Sequence, residues 1–189
     1  RALEQVVRFG DRVVVENPGF PYFFDLIEHL GAQPIPVELD AEGIAPSSFA
    51  RALATRPTAV LLQPRAHNPT GVSTSPERAA ELARLVRASR NGARVVIIED
   101  DHSGLVAAAP EVTLARWLPE QVVHVRSFSK SHGPDLRIAA LGGPSRIVDR
   151  VVARRLLGPG WTSRTIQAVL FDLLSDPVSI EAVVRARES

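Results

Sequence analysis

Short apolar runs recur along the chain, and longer stretches between them repeat their apolar positions every three or four residues. Runs rich in valine, isoleucine and leucine fall at 12–16, 33–39, 59–63, 94–100, 122–127 and 138–141. Several lack the alternation of a half-exposed strand. Strands buried on both faces read this way, so the pattern predicts a mostly parallel sheet covered by helices on both sides. A helix is predicted over 21–30, ahead of Gly31 as its C-cap, and a short one over 47–54. Another runs over 75–90, where Ser75-Pro76-Glu77 supplies a cap and a proline for the first turn. Helices at 145–157 and 163–174 are split by Gly158-Pro159-Gly160, and Pro177 opens a further helical stretch. Strands alternating with helices in this way define an α/β class, a three-layer αβα domain.

At 189 residues the chain is long enough for one large domain with its own core. Cysteine is absent, which excludes disulfides, thiolate metal sites and a cysteine nucleophile, and points to a cytoplasmic protein. Lys+Arg 22 against Asp+Glu 21 leaves a formal charge of +1, so no bulk field draws the domain to nucleic acid. Charge interrupts every apolar run before it reaches membrane-spanning length. The chain opens on Arg1 and contains no methionine, which reads as a fragment of a longer protein.

Lys130 is the only lysine among the 22 basic residues. Arginine stays protonated, whereas a desolvated lysine can lose its proton and attack a carbonyl. A lysine that survives such heavy arginine usage is either chemical or a chance surface residue, and its neighbours decide. In parallel α/β sheets the ligand sits at the carboxyl ends of the strands, and the unusual residues gather there. Asn17-Pro18-Gly19-Phe20 follows the first strand, and Pro64-Arg65-Ala66-His67-Asn68-Pro69-Thr70-Gly71 follows the third. Glu99-Asp100-Asp101-His102 closes the fourth, and Ser127-Phe128-Ser129-Lys130 closes the fifth. Strand alternation turns Asp100 to the face opposite Glu99 and Asp101, which singles it out among the three acids. Asn68 has an ordinary reading as well, because Asn-Pro and Thr-Gly are common turn formers.

A lysine able to form an imine, an acid that can pair with a ring nitrogen and an arginine that can grip a phosphate are the parts of a pyridoxal 5'-phosphate site. Lys130, Asp100 and Arg137 supply them, with Ser127 and Ser129 as additional hydroxyls. With Asn68-Pro69-Thr70-Gly71 upstream, this ordered set resembles the fold-type I aminotransferases of class I and II, and the resemblance runs from Arg12 to the chain end. It implies pyridoxal 5'-phosphate as cofactor, with Lys130 as the Schiff-base lysine and Asp100 on the pyridine nitrogen. It also implies Asn68 on the ring hydroxyl oxygen, Arg137 and Ser127 on the phosphate, and Phe20 stacked on the ring. The reaction implied moves an amino group between an amino acid or amine and a 2-keto acid, in a homodimer whose site lies near the subunit interface. The family commonly has a tyrosine shortly after the aspartate. His102 stands at the matching position here, and an imidazole can donate the same hydrogen bond to the cofactor.

The upstream glycine-rich phosphate turn and the C-terminal small domain of that family are absent. Residues 1–175 therefore correspond to the large cofactor domain without its N-terminal part, and 176–189 to the start of the connection to the small domain. The Glu99-Asp100-Asp101 triplet and the lysine-to-arginine spacing also resemble the branch shared by aminoadipate-type aminotransferases and MocR-type transcriptional regulators. That implies an alternative: a cofactor-binding effector sensor fused to an N-terminal winged-helix DNA reader of the GntR kind. DNA would then be contacted through such a segment and not through this domain. His67 and His132 flank the cleft without metal-ligand spacing, so no metal is expected. Arg150, Arg154 and Arg155 form a basic helical patch that a solvated face explains.

Overall fold

The computed structural model describes residues 1–188. Its sheet contains β1 (Arg12–Asn17), β2 (Gln33–Asp40), β3 (Gly43–Ile44), β4 (Ala59–Leu62), β5 (Val96–Asp101), β6 (Val122–Ser127) and β7 (Ala139–Gly142). The spatial order is β3-β2-β1-β4-β5-β6-β7. β2, β1, β4, β5 and β6 run parallel, while β3 and β7 close the two edges antiparallel. The helices are α1 (Ala2–Val6), α2 (Pro21–His29), α3 (Pro46–Ala54), α4 (Pro76–Ala88), α5 (Ser145–Leu156), α6 (Arg164–Ser175) and α7 (Pro177–Glu188).

Side-chain alternation divides the apolar strands between two cores. Val14, Val60, Leu62 and Ile97 pack against Phe49 and Leu53 of α3 and Leu82 and Val86 of α4. Val13, Val15, Leu61, Ile98 and Val123 pack against Leu3 of α1, Ile27 of α2 and Ile147 of α5. Covering both faces explains why these strands are apolar throughout. The predicted caps operate: Ser75 Oγ accepts the Arg78 N–H at the start of α4. Gly31, at φ +69°, ends α2 in the left-handed region that glycine adopts without strain. All the predicted strands and helices are present, joined by α1 and the two-residue β3, which the sequence pattern does not reveal. α6 and α7 pack on each other, and α7 also reaches the turn Gly104–Val106. Among the described residues, no helix is long and apolar enough to cross a membrane.

Candidate functional site

The carboxyl ends of β1, β4, β5 and β6 lie side by side, and alternation sorts their terminal side chains between the two faces. Asp100 faces opposite to Glu99 and Asp101, as expected: the two outer acids turn toward the α3/α4 face with Ile97, and Asp100 turns with Ile98 toward the face carrying α1, α2 and α5. Gln63, the first residue past β4, meets it there, its Nε2 donating to Asp100 Oδ2 at 2.8 Å. Ser127 follows Val123 and Val125 at the two-residue period of β6 and shares that face.

Beneath Asp100 lies a hydrogen-bonded chain. Gln63 Oε1 accepts the Asn68 N–H at 2.9 Å, and the Gln63 backbone N–H donates to Glu16 Oε2 at 2.7 Å. Glu16 Oε2 lies 3.4 Å from His67 Nε2, and His67 Nδ1 lies 2.9 Å from Thr70 Oγ1. The loop itself closes through Gly71 N–H on the His67 carbonyl (2.6 Å) and His67 N–H on the Val72 carbonyl (2.8 Å). Burial pushes the Glu16 carboxyl up to about 8, despite the Gln63 N–H and with the Asp100 charge adding to the rise. Burial lowers His67, and the neighbouring His102 lowers it further. Asp100 is raised by burial, against which the Gln63 hydrogen bond and His102 work. His102 thus lies within electrostatic reach of both His67 and Asp100.

At the end of β6 the chain makes a single turn, closed by His132 N–H on the Phe128 carbonyl at 2.9 Å, with Lys130 exposed at its tip. Ser127 Oγ accepts the Ser129 N–H at 3.2 Å. Arg137 closes the short turn Pro134–Leu136 in the left-handed region, φ +49°. A non-glycine residue held there stores strain on the order of 1 kcal/mol. The Gly104 turn is pressed against this strand end: a Cβ on Gly104 would sit 2.5 Å from the Ser127 carbonyl oxygen. Arg65 clamps the same turn, its Nη2 donating to the Gly104 carbonyl at 2.9 Å.

The opposite face of β5 and β6 is a buried ionic lattice built on the strand register, in which Glu99 pairs with His124 and Asp101 with Arg126. Glu99 accepts from Thr113 Oγ1 (2.7 Å) and the Leu114 N–H (2.7 Å), and lies 2.9 Å from His124 Nδ1. Asp101 receives Arg65 Nη2 on both oxygens (2.9 and 2.7 Å) and Arg126 Nε on Oδ2 (2.9 Å). Burial would raise Asp101, but His124, Arg65 and Arg126 together hold it well below the usual carboxylate range. His124 is pushed up to about 9 by its contacts with Asp101 and Glu99.

Of the residues singled out in the sequence, Asn68 and Asp100 both hydrogen-bond Gln63, His102 lies within electrostatic reach of Asp100, and Ser127 shares the face of Asp100. Lys130 and Arg137 occupy the turns beyond β6. Phe20 lies past the end of β1, at the start of α2, its ring centroid 5.2 Å from that of Tyr22 and 5.4 Å from that of Phe23. Gln63 and Glu16 escape sequence reasoning. Glu16 does leave a signal, a carboxylate in line with three valines of a strand buried on both faces, where a charge needs a partner. Among the described residues no cluster of His, Cys, Asp and Glu could hold a metal ion.

The sequence matches the family described as Aminotransferase class I and II over residues 1–188, and the chain belongs to that family. It is 36% identical over 168 residues to the vitamin B6 salvage pathway transcriptional repressor PtsJ of Salmonella typhimurium, a match covering 89% of this chain and 38% of the repressor. It is 30% identical over 159 residues to aminotransferase tdiD of Emericella nidulans, covering 76% of this chain and 36% of that one. The fold superposes on LysN, the α-aminoadipate aminotransferase of Thermus thermophilus solved with N-(5'-phosphopyridoxyl)-L-leucine. The TM-score is 0.85 at 24% identity, over 99% of this chain and 50% of LysN, a likeness of fold. The chain thus spans well under half the length of the two sequence relatives, one a regulator and one an enzyme.

Family membership implies pyridoxal 5'-phosphate as the cofactor, and the residues present fit it. His102 Nδ1 is buried without a hydrogen-bond partner, a condition that costs about 1–3 kcal/mol when no ligand meets it. Asp100 Oδ1, the Asn68 side-chain amide, the Lys130 amine and the Arg137 guanidinium make no hydrogen bond or ion pair among the described residues. One strand-end edge therefore offers an amine, a carboxylate, an amide, an imidazole and a guanidinium, the donor and acceptor set that a phosphorylated, hydroxylated pyridine aldehyde requires.

Proposed function

We propose that this chain is the cofactor domain of a pyridoxal 5'-phosphate-dependent aminotransferase that moves an amino group between an amino acid and a 2-keto acid through Lys130. The observation that carries the reading is Asp100. It alone of three consecutive acids turns to the face shared by Ser127, with one oxygen held by Gln63 at 2.8 Å. Its strand neighbours the one that runs into the only lysine.

Lys130 supplies the amine that attaches the cofactor and, once released, moves the proton at the substrate α-carbon. When bound, the cofactor supplies an electron sink for charge developing at that carbon. Asp100 keeps a proton on the ring nitrogen, while Asn68 and His102 donate to the ring hydroxyl oxygen. Arg137 offers a planar fork to the phosphate, with Ser127 donating its hydroxyl beside it. Phe20 covers the ring. Residues 1–175 form the large domain, 176–189 lead toward a small domain, and the full protein works as a cytoplasmic homodimer.

The test is an absorption spectrum of the full-length protein with pyridoxal 5'-phosphate, before and after borohydride, with peptide mapping of the reduced adduct and a keto acid assay. The expected result is a visible band, a label on Lys130, and no keto acid from Lys130→Ala. A label elsewhere, no band, or a Lys130→Ala variant that turns over at the parent rate overturns the reading.

The likeness to PtsJ favours a second reading, in which the same site senses an amino compound for a DNA-binding regulator. In that case the Lys130 label forms, amino acids yield no keto acid, and adding the amine changes the DNA affinity of the full-length protein.

A further inference from the structure

We propose that Gln63 is the positioning residue of this site: a single buried side-chain amide sets both the orientation of Asp100 and the path of the Asn68 loop, and Glu16 on β1 sets Gln63. The inference rests on the reading of Asp100 and Asn68 as cofactor ligands for its functional consequence.

Gln63 is 3% exposed, and both ends of its amide are committed. Nε2 donates to Asp100 Oδ2 at 2.8 Å, and Oε1 accepts the Asn68 N–H at 2.9 Å. The assignment of the two ends follows from the partners, since an ionised carboxylate only accepts and a backbone N–H only donates. A primary amide is an uncharged group that meets both demands on separate atoms. Lysine or arginine at this place has no acceptor for Asn68, and glutamate has no proton for Asp100 unless it is itself protonated. The backbone of Gln63 is fixed in turn by Glu16, 4% exposed, whose Oε2 takes its N–H at 2.7 Å.

Two consequences follow. Asp100 has Oδ2 engaged by Gln63, so Oδ1 is the oxygen left without a protein partner, and the plane in which the carboxylate presents it is set by Gln63. Asn68 is pinned through its backbone while its side chain makes no hydrogen bond among the described residues, so the aim of that amide also depends on Gln63. The charged and titratable groups within electrostatic reach of Asp100 are His102 from the following loop, Asp101 on its own strand and His124 from β6, both on the opposite face, and Glu16 from β1. Gln63 is the uncharged donor in this company, and its hydrogen bond opposes the rise that burial imposes on Asp100.

The decisive experiment titrates the Asp100 side-chain carboxyl by 13C NMR in the cofactor-free full-length protein, the resonance being assigned with Asp100→Asn. Wild type, Gln63→Leu and the isosteric Gln63→Glu are compared, and the same proteins are then assayed for pyridoxal 5'-phosphate affinity and borohydride labelling of Lys130. The expected midpoint moves up by about one pH unit in Gln63→Leu, the loss of one hydrogen bond to a charged acceptor. It moves further in Gln63→Glu, where two carboxyls must share a proton. Cofactor affinity drops about tenfold in both variants, while Lys130 is still labelled at saturation. An Asp100 midpoint unchanged in Gln63→Glu, a variant that keeps the side-chain volume, overturns the proposal. Failure to label Lys130 in the wild type overturns the functional reading instead, and the Asp100 midpoints then still decide what Gln63 does.

Discussion

His124→Gln isolates the charge that β5 and β6 hold inside the sheet. His124 Nδ1 lies 2.9 Å from Glu99 and Nε2 lies 3.5 Å from Asp101, and contacts with Asp101 and Glu99 raise its pKa from 6.5 to about 9. A group whose pKa is raised on folding stabilises the fold fully below its unfolded value, here 6.5, and the contribution disappears as pH climbs through about 9. At about 1.36 kcal/mol per pH unit the displacement corresponds to about 3 kcal/mol. With the side chain 23% exposed, solvent screening reduces that to about 2 kcal/mol. The assay is the urea unfolding free energy of the cofactor-free full-length protein, measured from about pH 6 to about pH 10. Wild type should lose about 2 kcal/mol more than His124→Gln over this window. Taking the difference removes Glu16, whose raised pKa erodes stability between 4.5 and about 8 in both proteins. Parallel profiles for the two proteins refute the reasoning, because they mean that His124 carries no charge between the two acids.

Asp101→Asn leaves Arg65 and Arg126 facing a neutral amide. Removing one partner from a buried pair costs about 3–5 kcal/mol, so the urea midpoint of the full-length protein falls sharply, and an unchanged midpoint contradicts the lattice. Gly104→Ala places a methyl 2.5 Å from the Ser127 carbonyl at φ +57°. It destabilises by more than about 1 kcal/mol and speeds amide hydrogen exchange across β6, whereas wild-type exchange rates there refute the close approach.

Much of the architecture is legible along the chain because its signals are local. Valine-rich runs without alternation announce strands covered on both sides, Ser75-Pro76 and Gly31 mark helix ends, and the period of two already separates Asp100 from Glu99 and Asp101. Asn68, Lys130 and Arg137 stand out because their spacing is a family pattern and because lysine is otherwise absent. What the chain conceals depends on which strands become neighbours. Gln63 looks like the tail of an apolar strand until β1 and β5 flank β4 and bring Glu16 and Asp100 to it. The pairing of Glu99 with His124 and Asp101 with Arg126 is written as opposite charges at equal spacing in two strands, yet it is visible only once the register is known. β3, two residues long, has no period to detect, and the antiparallel course of β7 follows from the turn around Arg137 and not from its own residues.

The turn that ends β6 presents the one side-chain amine of these 189 residues to solvent. For reagents and proteases directed at lysine, the entire stretch is a single address. If that amine is taken up by a cofactor, the address is withdrawn, so resistance to a lysine-specific protease becomes a direct count of loaded molecules. A chain that had scattered lysines over its surface, as most do, would bury this readout among its other cleavages.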